Sequence, residues 1–368
     1  MPAKTQLFAA LTAAGAAAVL AACGSASSPR ITAVSAAHRA RWTPYVRIRR
    51  VLDLAQPAAG GTILVAADRR LELLHASGAV EPFARGGVGY ASPGGEEPYI
   101  ALSAGQKVPG AACPFPQNTL YVLRLRKGAG VTAVDARGAA RTFASLPGSG
   151  LEDGIALDTT ARFGHRLLVT AASGSRTTVY ALDCRGSVST ITASAPKVEG
   201  GIAVAPASFG RFGGDLIAAD ENSGRIYAIS PDGRSALLAR SGLARGGDVG
   251  VESAGFVPSR FAASSSALVA DRRTPGNPHP GDDAVLRLDG SSLLAAGVRQ
   301  GDLLVATEGG AETDAIRCSG SSCQVRHVAD GPTGAHLEGH IVFAQAGRTA
   351  PQTLNHRQGN GRENDVTR

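Results

Sequence analysis

No apolar run in this chain reaches the roughly 20 residues that a membrane-spanning helix needs. The longest, from Leu7 to Ala22, is rich in Ala and Leu, follows Lys4 and ends at Cys23. That length and those flanks fit a cleaved export signal better than an anchor helix. Also missing are a nucleophile-elbow serine and a phosphate-binding glycine loop. Ser194-Ala195-Pro196-Lys197 has Ser-x-x-Lys spacing without its companion motifs, and Asp220 and Asn222 lack the glycine and closing glutamate of a calcium helix-loop-helix. Lysine is scarce as well, with 4 of the 37 basic residues; we read this as gene base composition, without mechanistic weight.

A basic face is absent too, despite a formal charge of +7. The signal carries one positive charge, the following tether two and the C-terminal tail a net two, which leaves +2 on residues 41–345. Nucleic acid is therefore not an expected partner, whereas the basic ends suit an anionic membrane surface.

What is present is repetition. Six apolar strands begin at Ile63, Leu120, Leu167, Leu216, Leu268 and Leu303, each followed by a second strand ending near a glycine: Gly78, Gly138, Gly186, Gly233, Gly290 and Gly320. A turn that needs positive φ selects glycine, and alternation before it, as in Val179-Tyr180-Ala181-Leu182, puts every second side chain on one face. Sheets repeated at this period bury their faces against one another around an axis. The expectation is an all-β propeller of six blades, near 42–90, 91–148, 149–196, 197–246, 247–290 and 291–332, with a seventh blade left open. Tyr45–Leu54 and Ala335–Ala344 are expected to meet in a mixed blade that closes the ring.

The organisation expected is a signal at 1–23, a flexible tether at 24–41, the propeller at 42–345 and a disordered basic tail at 346–368. Four cysteines besides Cys23 suit an oxidising compartment. Cys318 and Cys323 flank a hairpin turn and are expected to bridge. Cys113 and Cys184, in an a–b loop and a c–d turn of neighbouring blades, emerge on one face as a second candidate pair.

Glutamates recur at the start of the innermost strand: Glu97, Glu152, Glu199, Glu252 and Glu338. Converging at the channel mouth, they would raise one another's pKa unless a metal, a cationic ligand or shared protons relieve them; capping of backbone amides is the structural alternative. His336 and His340 flank Glu338 at i−2 and i+2, on the same face of a regular strand. With the histidines the set suits Zn²⁺, and with carboxylates alone Ca²⁺ or Mg²⁺. The b–c loops of the same face include Arg272–Asp283, Asp220–Asn222 and Thr307–Glu312.

Two resemblances add to this. Leu20-Ala21-Ala22-Cys23 resembles the lipobox of bacterial lipoproteins, which implies lipid on Cys23 and an extracytoplasmic, membrane-anchored protein. The repeat Glu199-Gly200-Gly201-Ile202-Ala203-Val204, Phe212-Gly213-Gly214-Asp215-Leu216 and Gly224-Arg225-Ile226-Tyr227 resembles the blades of NHL-repeat and gluconolactonase-like (senescence marker protein) propellers. The latter family hydrolyses lactones at a divalent metal held by Glu, Asn and Asp. Glu199-Gly200 and Glu338-Gly339 resemble the start of its Glu-Gly-Pro element but lack the proline, and the Asn and Asp have no assignable counterparts. The expectation is a monomeric, lipid-anchored envelope propeller that binds a small ligand or an envelope protein on its glutamate-rich face. The alternative is a metal-dependent hydrolase of lactones or sugar-derived esters.

Overall fold

The computed structural model describes residues 39–56, 61–67, 70–85, 97–125 and 128–345. The signal, Cys23, the tether up to residue 38 and the tail from residue 346 lie outside the described residues.

Four blades follow the chain in order. The first is Val51–Leu54, Ile63–Ala67, Arg70–Leu74 and Val80–Arg85; the second is Ile100–Leu102, Leu120–Arg124, Gly130–Val134 and Ala140–Ser145. The third is Leu151–Leu157, Leu167–Ser173, Arg176–Leu182 and Val188–Pro196; the fourth is Glu199–Val204, Leu216–Asp220, Arg225–Ile229 and Ser235–Arg240. All pair antiparallel from the inside outward.

The remaining strands interleave. Val251–Phe256 pairs with Leu303–Thr307, followed outward by Thr313–Ser319 and Ser322–Asp330, while the hairpin Ser265–Asp271 and Ala284–Asp289 between them joins the next blade. There it lies between Leu337–Gln345 on the inside and Thr43–Arg47 on the outside. The two blades touch at the axis through a parallel pairing of Ala254 with His340. Residues 247–290 and 291–332 are thus not two consecutive blades. The expected mixture of chain ends is present, with Thr43–Arg47 as its N-terminal part and Val51–Leu54 opening the next blade. Ala40–Arg41, at the end of the expected tether, pairs in parallel with Ala329 and Asp330.

Six apolar cores fill the spaces between these six sheets. One strand feeds two of them: Leu216 and Ala218 pack toward the third blade, while Ile217 and Ala219 pack toward the fifth. The last core joins Val51, Leu54 and Val65 of the first blade to Leu268, Val285 and Val342 of the last, so the ring is closed. Burial on both faces is why the second strands read as unbroken apolar runs.

Gly78, Gly138, Gly186 and Gly233 adopt φ of 85°, 84°, 84° and 85°. Each closes the same turn, with Gly138 N–H donating to Asp135 O at 2.9 Å and Gly233 N–H to Ser230 O at 2.8 Å. Gly290 differs, because it starts the helix Gly290–Ala295 rather than a hairpin. Cys113–Cys184 links the second and third blades and Cys318–Cys323 crosses the hairpin, with Cα separations of 6.0 and 4.0 Å.

Candidate metal centre

Bulges aim the inner-strand carboxylates. Register slips at Val51/Asp53, Glu152/Gly154, Glu199/Ala203, Val251/Ser253 and between Glu338 and Val342 interrupt five of the inner strands close to the axis. A bulge turns side chains that regular alternation would send into the neighbouring blade.

Glu97, Glu252 and Glu338 come together, with candidate ligand atoms all within 4.8 Å of one another. Glu338 belongs also to a group with Glu308 and His336, and Glu252 to one with Glu221 and Glu308. Glu221, Arg272 and Glu308 are the first residues past the second strands Leu216–Asp220, Ser265–Asp271 and Leu303–Thr307. All three loops flagged in the sequence therefore reach the site, but the residue each contributes was not singled out. Their shared position in the blade repeat is the signal that could have found them. Backbone bonds fix them: Arg272 N–H donates to His336 O and Leu337 N–H to Glu308 O, both at 2.8 Å.

Arg272 Nη1 lies 2.6 Å from Glu97 Oε1 and 2.8 Å from Glu338 Oε1, and His336 Nε2 lies 2.8 Å from Glu308 Oε1. Tyr99 Oη is 2.6 Å from Glu252 Oε1 and 2.8 Å from Glu338 Oε2. A phenol has a single hydrogen, so it donates to one carboxyl and the second contact requires a proton on the other. Burial, then the charges of Glu338 and Glu97, push Glu252 well up, which makes it the proton carrier.

Burial and Glu338 likewise raise Glu97 to about 7, against the pull of Arg272. Burial and Glu199 raise Glu221 to about 8. Burial opposes the charge on Glu338, but the His336 hydrogen bond and Arg272 outweigh it and hold its pKa below the usual value. His336 is pushed up to about 10, its two carboxylate partners overcoming burial. Two buried atoms in this network, Glu308 Oε2 and His336 Nδ1, have no hydrogen-bond partner among the described residues. Five carboxyls thus surround two cationic side chains, and the donor set is rich in oxygen, which fits a hard divalent cation.

The other expected ligands lie elsewhere. Glu152 is buried outside these groups. Glu199 lies 2.9 Å from Lys197 Nζ. His340 does not share the face of His336, because Gly339 at φ 66° and the bulge break the alternation. Its Nδ1 instead meets Asp53, at 2.9 Å from Oδ2.

No family model and no curated protein matches the chain. Similar solved structures include a calcium-binding regucalcin from Agrobacterium tumefaciens, 13% identical, covering 83% of each chain with a TM-score of 0.48. A gluconolactonase from Xanthomonas campestris is 16% identical over 83% of this chain and 84% of that one, with a TM-score of 0.47. A virginiamycin B lyase from Staphylococcus aureus is 10% identical over 84% and 92%, with a TM-score of 0.40.

Proposed function

We propose that this protein is a cell-envelope propeller, anchored by lipid on Cys23, that holds one divalent cation in its axial carboxylate cluster and binds a ligand there. The observation that carries the cation is the surplus of five carboxyls over two cations, together with the partnerless Oε2 of Glu308. Glu338, Glu308, Glu252 and Glu97 would hold the ion, and the oxygen-rich set favours Ca²⁺ over Zn²⁺. The sequence Leu20-Ala21-Ala22-Cys23 supports the anchor, and the disulfides fit an oxidising compartment.

Titration calorimetry with Ca²⁺, Mg²⁺ and Zn²⁺ tests the site. Stoichiometric Ca²⁺ binding that is lost in Glu338→Gln supports it; no binding of any of the three sinks it. Mass spectrometry of the mature N-terminus tests the anchor, with an unmodified Cys23 as the overturning result.

One observation favours a second reading, hydrolysis of a lactone or sugar-derived ester. In this reading the ion rests on Glu338, Glu308 and Glu252 alone, and Glu97, one-third exposed and raised to about 7, is left to take and return a proton at neutral pH. A bound cation would polarise the ester carbonyl and acidify water. Arg272, reaching Glu97 and Glu338, is placed to orient an oxygen of the substrate. Lactone hydrolysis whose pH dependence near 7 disappears in Glu97→Gln would establish this reading, and no turnover of any lactone in Ca²⁺-loaded protein would remove it.

A further inference from the structure

Each inner strand has a carboxylate in it or just before it, followed by apolar residues. Past Asp53, Glu97, Glu152, Glu199, Glu252 and Glu338 come Leu54, Ile100, Ile155, Ile202, Phe256 and Val342, and these six line one cavity of about 440 Å³. The middle of the axis is pinched between the two ends. A Cβ on Gly201 would meet Gly339 O at 2.2 Å and one on Gly255 would meet Ile341 O at 1.9 Å. The cavity therefore opens on the face opposite the carboxylates.

Its chemistry is uniform. His340 is the one ionisable side chain among its described lining residues, and Asp53 faces that imidazole at 2.9 Å. The other polar side chains, Gln56, Ser103, Gln117, Asn118 and Thr159, are uncharged. The volume lies within the roughly 300–1,000 Å³ usual for small-molecule sites. A charged ligand would lose its hydration here without finding a counter-charge.

We propose that this cavity is a second site, independent of the cation, for a neutral lipid-like molecule with an apolar body and one uncharged hydrogen-bonding end. The body lies against the six inner strands and the polar end reaches the amide and hydroxyl groups of Gln117, Asn118 and Thr159. The chain's own tail suits the cavity poorly, since residues 346–368 are polar and carry four arginines.

The test titrates the neutral fluorophore N-phenyl-1-naphthylamine into the chain from Gly24 onward, which contains every described residue. Expected is saturable binding of one probe per chain, displaced by 1-dodecanol but not by dodecanoate or dodecylamine, and unchanged by EDTA. Ala203→Trp, at a half-buried cavity position, should weaken probe binding at least about tenfold and leave Ca²⁺ binding unchanged. Thr159→Trp, at an exposed rim position, provides a second block should Ala203→Trp fold poorly. No saturable binding, equal displacement by the charged chains, or full binding in folded variants of both kinds overturns the proposal. Markedly tighter binding in a chain ending at Gln345 overturns it in favour of the tail as occupant. Because EDTA removes the cation, failure of this site and failure of the metal centre are read separately.

Discussion

The imidazole of His340 rests on both carboxylate oxygens of Asp53, at 3.0 and 2.9 Å, although 287 residues separate them. Asp53 lies on the first inner strand and His340 on the last, so this pair fastens the closing joint of the ring. Asp53 also accepts the backbone N–H groups of Leu54, Ile100 and His340 at 2.8, 2.8 and 2.7 Å. Burial works against the charge of His340, but Asp53 and the carbonyls of Ile155 and Ile202 outweigh it and raise the pKa. The sign follows: this contribution is complete below the ordinary histidine value and fades as pH rises through the elevated one. Asp53→Ala should cost about 3–5 kcal/mol in urea unfolding, because it strands a buried partner. A loss below about 1 kcal/mol would show that the joint does not depend on the pair.

Cation binding should release protons. Glu252, its pKa pushed well up, and Glu97, raised to about 7, hold protons that a cation must displace, and a cation close by also favours loss of the proton on Glu221, raised to about 8. Ca²⁺ affinity is therefore expected to climb between roughly pH 6 and 9, with heats that depend on the buffer's ionisation enthalpy. A flat profile would contradict ligation by Glu97 and Glu252.

Without cation, the same shifts lower stability on the alkaline side. Carboxyls whose folded pKa exceeds the unfolded value bind more protons when folded, so stability falls as pH rises from the ordinary carboxylate value toward 8. In EDTA the melting temperature should be lower at pH 8 than at pH 5.5, and Ca²⁺ should remove the difference. An EDTA-treated protein that is more stable at pH 8 would speak against the surplus of buried negative charge.

Arg272→Met should have opposite effects on the empty and loaded protein. Removing the guanidinium leaves Glu338, fully buried, without one of its two cationic neighbours, a loss of about 3 kcal/mol when empty. It also removes a positive charge that competes with the cation, so Ca²⁺ should bind more tightly. Weaker binding would make Arg272 part of the cation's own support.

The two disulfides should differ in weight. Cys113–Cys184 closes 71 residues and Cys318–Cys323 closes 5. On the chain-entropy model, replacing the first pair by serine costs about 4 kcal/mol and the second about 2 kcal/mol. Equal losses in thermal unfolding would argue against chain entropy as the main source of their stabilisation.

The blade repeat was legible in the order of residues alone. Runs such as Leu216–Ala219 bury both faces, and turn glycines such as Gly138 and Gly233 recur where positive φ is needed. Both signals are local, because alternation and turn chemistry act within a few residues. The placement of Glu97, Glu252, Glu338 and three b–c loops on one face was legible for the same reason. Which side chains meet was decided only in three dimensions. Bulges are set by strand pairing, so Gly339 could turn His340 to Asp53 while His336 stayed with Glu308. The exchange of the Ser265–Asp289 hairpin into the closing blade was also settled there. Backbone hydrogen bonds between strands carry no residue identity, and the ring of packed cores selects the partner.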